Sequence, residues 1–195
     1  MSRTEHDNSH LQELITLWTI QREAAWSAAQ ARGVLRADGR RVYQAWRGAY
    51  RWLRRRMASR MPDFSGGYPI WAWVRPKPDL RSSAHLPPAT RAVRITFRVP
   101  VSRVLLLDFH AWHAVLNKWY LSLTEEEDDE WDRTSRQRKA GSQAMRRSLE
   151  ASWDRVFDLE TLDRSPMFGP VRVVQAVIEE VRLGEVVLVE NFTAR

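Results

Sequence analysis

LITLWTIQREAAWSAAQARGVL, residues 14–35, holds the change of period on which the reading of the fold turns. Its first eight residues, LITLWTIQ (14–21), are apolar and β-branched and predict a buried strand. EAAWSAAQAR (23–32) is alanine-rich and predicts a helix, with Gly33 placed to close it as the residue after the cap. A strand handing over directly to a helix, with further strand signals downstream, favours an α+β architecture.

Those signals come in order. Asp38-Gly39 marks a turn, and Arg40 to Met61 reads as a second helix with Trp46, Ala49, Leu53 and Met57 in an apolar stripe. Ser65-Gly66-Gly67 leads into YPIWAWV (68–74), which is too short for a helix and apolar on both faces, so it predicts an interior strand. A proline-punctuated loop spans 75–90. Val93, Ile95, Phe97 and Val99 then alternate with Arg94, Thr96 and Arg98, the clearest strand in the chain. VLLL (104–107) predicts another strand. Asp108 is the natural N-cap of a helix through DFHAWHAVLNKWY, with Trp112, Val115, Leu116 and Trp119 on its buried stripe. Thr124 and Glu127 form a capping box ahead of the acidic run EEEDDE, and a helical segment near 146–157 buries Leu149, Trp153 and Phe157. Residues 170–183 fit a strand or a helix, and VVLVENF (186–192) is a last strand. The sum is α+β: a largely antiparallel sheet with packed helices. It is expected to form one domain over 13–195 behind a frayed tail (1–12), with a charged helical excursion at 124–147.

Composition narrows the function classes. The 195 residues contain no cysteine, which excludes disulfides, thiolate zinc sites and a cysteine nucleophile. No apolar run approaches the ~18 residues of a membrane span, and MSRTEHDNSH lacks the apolar core of a secretory signal, so a soluble cytoplasmic protein is expected. The formal charge of +7 is uneven: residues 1–123 carry 20 basic and 8 acidic side chains, and 124–195 carry 11 and 16. That asymmetry suits either an anionic partner or simple solubility. Arg47, Arg51, Arg54 and Arg55 give the second helix a basic face, a candidate nucleic-acid surface or a solvated one.

Phosphate cradles of the GxGxxG and GxxxxGK type and the GxSxG elbow are missing from the sequence. Asp108, His110 and His113 have a spacing compatible with a metal, but Asp108 is needed as a cap, and no metal is expected. An anion would meet arginines, and Arg81 in the proline-rich loop is one place for it. Of the ten tryptophans, Trp26, Trp46, Trp112, Trp119 and Trp153 fall on helical stripes. Trp71 and Trp73 share one face of their strand, either as core or as a surface on which a base or nicotinamide stacks.

LWTIQ, AAWSAAQARGVL, YPIWAW, DLR, DFHAWHAVLN, SWDRVF and QAVIEEV together resemble an uncharacterised bacterial family, a domain of unknown function, over nearly the whole chain. The opening strand, helix and Gly33-Val34-Leu35, with the late pair Gln175-Ala176, are also similar to ADP-ribosyltransferase-like domains acting on nucleic acids. That second resemblance implies NAD as a substrate and a nucleic-acid or protein acceptor. It places Thr19, Gln21, Tyr68, Trp71, Trp73 and Arg81 about the nucleotide, and Gln175 with Glu180 at the catalytic position. The sequence departs from that pattern at Thr19, where a histidine or arginine is usual, and at Val177, where a glutamate is expected; Glu179 or Glu180 would then supply the carboxylate. The alternative expectation is a non-enzymatic module that binds nucleic acid or protein through the basic N-terminal surface.

Overall fold

The computed structural model describes residues 13–82, 86–137 and 142–195. The expected tail (1–12), three residues of the proline-rich loop (83–85) and part of the charged excursion (138–141) lie outside the described residues. Strand β1 (Leu14–Arg22) runs straight into helix α1 (Glu23–Arg32), which ends at Gly33 with φ 77°, the left-handed conformation a glycine tolerates. β2 (Val34–Arg36) follows, then two 3-10 turns, and then α2 (Arg47–Arg60). β3 (Ile70–Arg75), β4 (Arg91–Pro100), β5 (Leu105–Asp108) and α3 (Phe109–Asn117) come next. Helices α4 (Glu125–Gln137), α5 (Gln143–Ser152) and α6 (Leu159–Arg164) precede β6 (Val174–Ile178), β7 (Glu180–Arg182) and β8 (Val186–Thr193).

The fold is α+β. Six strands form one sheet in the order β5-β6-β3-β1-β4-β8, and every neighbouring pair is antiparallel. β2 and β7 make a separate two-stranded ribbon. β3 is interior, as its apolar faces require. Residues 170–183 resolve as the two strands β6 and β7, which belong to different sheets.

Alternation along the strands feeds two cores. Leu17, Ile70, Ala72, Val93, Ile95, Phe97 and Ala176 face the layer made by α1, β2 and β7, where Ala29, Leu35 and Val181 meet them. Leu105, Leu107 and Val177 face the other way, onto α2, α3 and the segment from α5 to α6. There Trp52 lies edge-on to Trp153 and stacked on Phe157.

Two expectations need correction. The helix expected over 40–61 begins only at Arg47. Asp38 accepts a hydrogen bond from the Arg40 amide at 3.0 Å and opens a 3-10 turn, and extended Val42 breaks it. Trp46 therefore precedes the helix and is 40% exposed instead of lying on its buried stripe. Likewise α3 stops at Asn117. Lys118 takes the left-handed conformation (φ 59°), and Trp119 is turned out to 63% exposure.

Candidate functional site

β1 and β4 pair along nine positions, whereas β1 and β3 share one, Trp18 opposite Trp73. Where that seam opens, a side chain takes over from the ladder. The Thr19 hydroxyl donates to the Trp71 carbonyl at 2.8 Å and accepts from Gln21 Nε2 at 2.9 Å. Thr19 is 1% exposed, so its hydroxyl is committed to this bridge and orients Gln21.

Gln21 stands at the rim of a groove of about 710 Å³ between α1 and the start of α2. By the β1–β3 register it is level with Ile70, which pairs with Ile178 of β6. Two residues beyond that last pair lie Tyr68 and Glu180. Gln21, Tyr68 and Glu180 thus gather at the same end of the three central strands.

Tyr68 packs against Gly39 and Arg54. A Cβ on Gly39 would come within 2.1 Å of the Tyr68 ring, so the 3-10 turn packs its bare backbone there. The Arg54 guanidinium lies over the ring, 4.5 Å from the centroid, and donates to the Gly66 and Gly67 carbonyls. The same turn is gripped by Glu179, whose carboxylate accepts from the amides of Ser65 (2.8 Å) and Gly67 and from the Ser65 hydroxyl (2.8 Å). Burial works against ionising Glu179, but these donors outweigh it and hold its carboxyl below the usual range.

The rest of the groove is aromatic and cationic. Tyr43 (67% exposed) and Trp46 meet edge to face with centroids 5.6 Å apart, and Tyr50 lies deeper. Trp71 Nε1 donates to the Tyr50 hydroxyl at 2.9 Å; burial raises the Tyr50 pKa, so the phenol stays protonated. Arg32, Arg36, Arg40 and Arg41 line the groove, against Asp38 alone among the acids. Arg36 also lines an adjoining cavity of about 510 Å³ that contains Glu179 and Glu180. Arg36 bonds Glu180 through one carboxylate oxygen, and Arg182 bonds the other at 3.1 Å. Burial raises the Glu180 pKa, but the bonds from Arg182 and Arg36 offset this and leave the carboxyl lowered and ionised.

Other candidate positions fall elsewhere. Trp71 packs among Trp112 and Tyr50 in the helix-side core, and Trp73 lies against Phe109. Gln175 pairs with Trp73 and Leu107, on the face of the sheet opposite Thr19 and Gln21. Arg81 is in the exposed loop, bonded to Asp79 at 2.9 Å. On α2, Arg54 is taken up by Tyr68 and the 66–67 carbonyls, Arg55 pairs with Glu150, and Arg47 and Arg51 are exposed. Asp108 caps the Ala111 amide at 2.7 Å and His113 Nδ1 bonds the Phe109 carbonyl.

The reading of the sequence missed Tyr43, Trp46, Tyr50 and Arg36 as groove residues. The signal available was VYQAW (42–46), an aromatic pair directly after a turn and between arginines, which the helix reading absorbed.

Residues 16–187 match the family described as Domain of unknown function (DUF3841), and the chain belongs to that family. No curated protein and no solved structure matches the chain.

Proposed function

We propose that this member of the family binds NAD, or a closely related nucleotide, in the α1–α2 groove and transfers its ADP-ribose to a nucleic-acid or protein acceptor. One observation carries the reading. Gln21 and Tyr68 line a groove edged with open aromatic rings and four arginines, and one of those arginines, Arg36, also lines the adjoining cavity, where it bonds Glu180.

The chemistry of each part supports it. Tyr43 and Trp46 offer faces on which an adenine stacks. Arg36 and Arg41 offer planar donors suited to a pyrophosphate, and Arg40, whose Nε and Nη2 bond Asp38 at 3.0 and 3.1 Å, adds its remaining N–H groups. Gln21, fixed through Thr19, and Tyr68, packed against Gly39 and Arg54, flank the inner end, where the nicotinamide would lie. Glu180 is ionised and therefore able to accept a hydrogen bond from a ribose hydroxyl and to steady positive charge developing at C1′. In the transfer the C1′–N bond breaks and nicotinamide leaves with the bonding electrons. A lone pair of the acceptor forms the new bond at C1′, and the acceptor's proton passes to solvent.

For Glu180 to reach the ribose, Arg36 turns from the carboxylate to the pyrophosphate while Arg182 keeps its oxygen. The test is incubation with labelled NAD and candidate DNA, RNA and protein acceptors, using the wild-type chain and Glu180→Gln. Label transfer that falls at least about a hundredfold in the variant, with NAD affinity retained, is the expected result. Transfer undiminished in Glu180→Gln would refute the assignment of the carboxylate, and no transfer with any acceptor would refute the activity.

A further inference from the structure

We infer that a second cavity, on the opposite side of the first turns of α2, binds a nucleotide unit of a single-stranded nucleic acid. It has a volume of about 300 Å³, at the small end of the roughly 300–1,000 Å³ of ligand sites. Ala49, Leu149 and Trp153 make an apolar floor. Arg51, Arg55, Lys118 and Arg146 make the rim.

Three of the four rim cations have no ion pair among the described residues. Glu150 is the one acid in the lining, and it is taken by Arg55 at 2.8 Å. Among the described residues no ion pair involves Arg51, Lys118 or Arg146. The cavity beside Glu180 is the opposite case, since Arg36, Arg103 and Arg182 are each matched there by Glu180 or Glu185. Four cations around an apolar floor suit a ligand that is anionic at its edge and flat in its body, as a base with its phosphates is.

Aromatic groups stand beside these cations. Trp153 is fixed by its indole N–H, which donates to the Trp119 carbonyl at 2.7 Å, and Trp119 itself is 63% exposed next to Lys118. Arg47, exposed one helical turn before Arg51, carries the positive track along α2 beyond the cavity. A duplex keeps its bases stacked inside, so a cavity of this size with an apolar floor selects unstacked strands. The track favours a polynucleotide over a single mononucleotide. Tyr50 faces the groove from the same helix whose Ala49, Arg51 and Arg55 face this cavity, and Trp46 faces the groove from the turn just before it. The second site stands on its own geometry, whether or not the groove takes NAD.

Fluorescence anisotropy of the full chain tests it, with short labelled single-stranded RNA and DNA, the corresponding duplexes, and AMP as competitor. Single strands should bind in a salt-dependent manner. The double variant Arg51→Gln/Arg146→Gln should weaken them at least about tenfold and lower the log–log salt slope by about 1.4, from about 0.7 per lost phosphate contact. Arg133→Gln on α4 should leave binding unchanged, and circular dichroism melts confirm that each variant is folded. Preference for RNA or for DNA, either way, supports the site and names its source. Duplex bound as tightly as single strands, AMP bound as well as the oligonucleotides, or a double variant that binds like wild type would overturn it. NAD titrations of the same variants are read separately, so failure of the groove and failure of this cavity are told apart.

Discussion

Gly39 has no side chain because Tyr68 occupies the space where one would be. Gly39→Ala must displace either the ring or the turn, and Tyr68 is the groove residue over whose ring the Arg54 guanidinium lies. The expected outcome is a drop in NAD affinity larger than the drop in melting temperature, measured by calorimetric titration and thermal melting. Thr19 makes a different kind of contribution. Thr19→Val keeps the shape but leaves the Trp71 carbonyl and the Gln21 amide without their shared partner, at a cost of about 1–3 kcal/mol in a denaturant titration. Neither role was legible in the sequence. LWTIQ carries a strand period and Asp38-Gly39 a turn, and nothing local announces a hydroxyl that replaces a ladder bond 52 residues away or a backbone laid against a distant ring.

At the scale of elements, legibility followed local signals. The strand–helix–glycine opening, the β4 alternation and the Asp108 cap carry their information within a few residues, and the structure has all three. The start of α2 and the end of α3 depend on tertiary context: the Asp38 turn draws Tyr43 and Trp46 toward the groove, and Lys118 bends Trp119 away. The ambiguity over 170–183 has a physical source as well, since this stretch leaves one sheet at Ile178 and enters another at Glu180. Glu179 sits at that crossing and ties it to the Ser65–Gly67 turn. Its folded pKa is depressed, so the stability it adds is present above the unfolded carboxylate value near 4.5 and is lost as pH falls through the folded one. Thermal melts taken from neutral to acid pH should therefore show a loss on the acid side that is smaller in Glu179→Gln than in wild type; an identical acid loss would count against the clamp.

Across the whole molecule, the basic excess of residues 1–123 is distributed over separate places rather than one face. Arg56 and Arg60 meet Asp154, Arg94 meets Glu190, and Arg103 meets Glu185, so much of it is spent within the fold. In the groove Arg36 meets Glu180 and Arg40 and Arg41 meet Asp38, so among the described residues the cations without an ion pair beside α2 are Arg32 at the groove and Arg51, Lys118 and Arg146 at the small cavity. Net charge in the sequence suits an anionic partner or simple solubility equally, and only the pairing of individual side chains separates the arginines available to a partner from those that are not. Among the described residues no helix is long and apolar enough to cross a membrane. The family match covers most of the chain, and the proposed function rests on the groove. Its most direct test is calorimetric titration of NAD into the full chain and into Tyr43→Ala/Trp46→Ala, which alters two exposed rings outside both cores. The account predicts one site per chain in wild type and at least about tenfold weaker binding in the double variant. Absence of binding to the wild-type chain, or equal affinity in the two proteins, would contradict it.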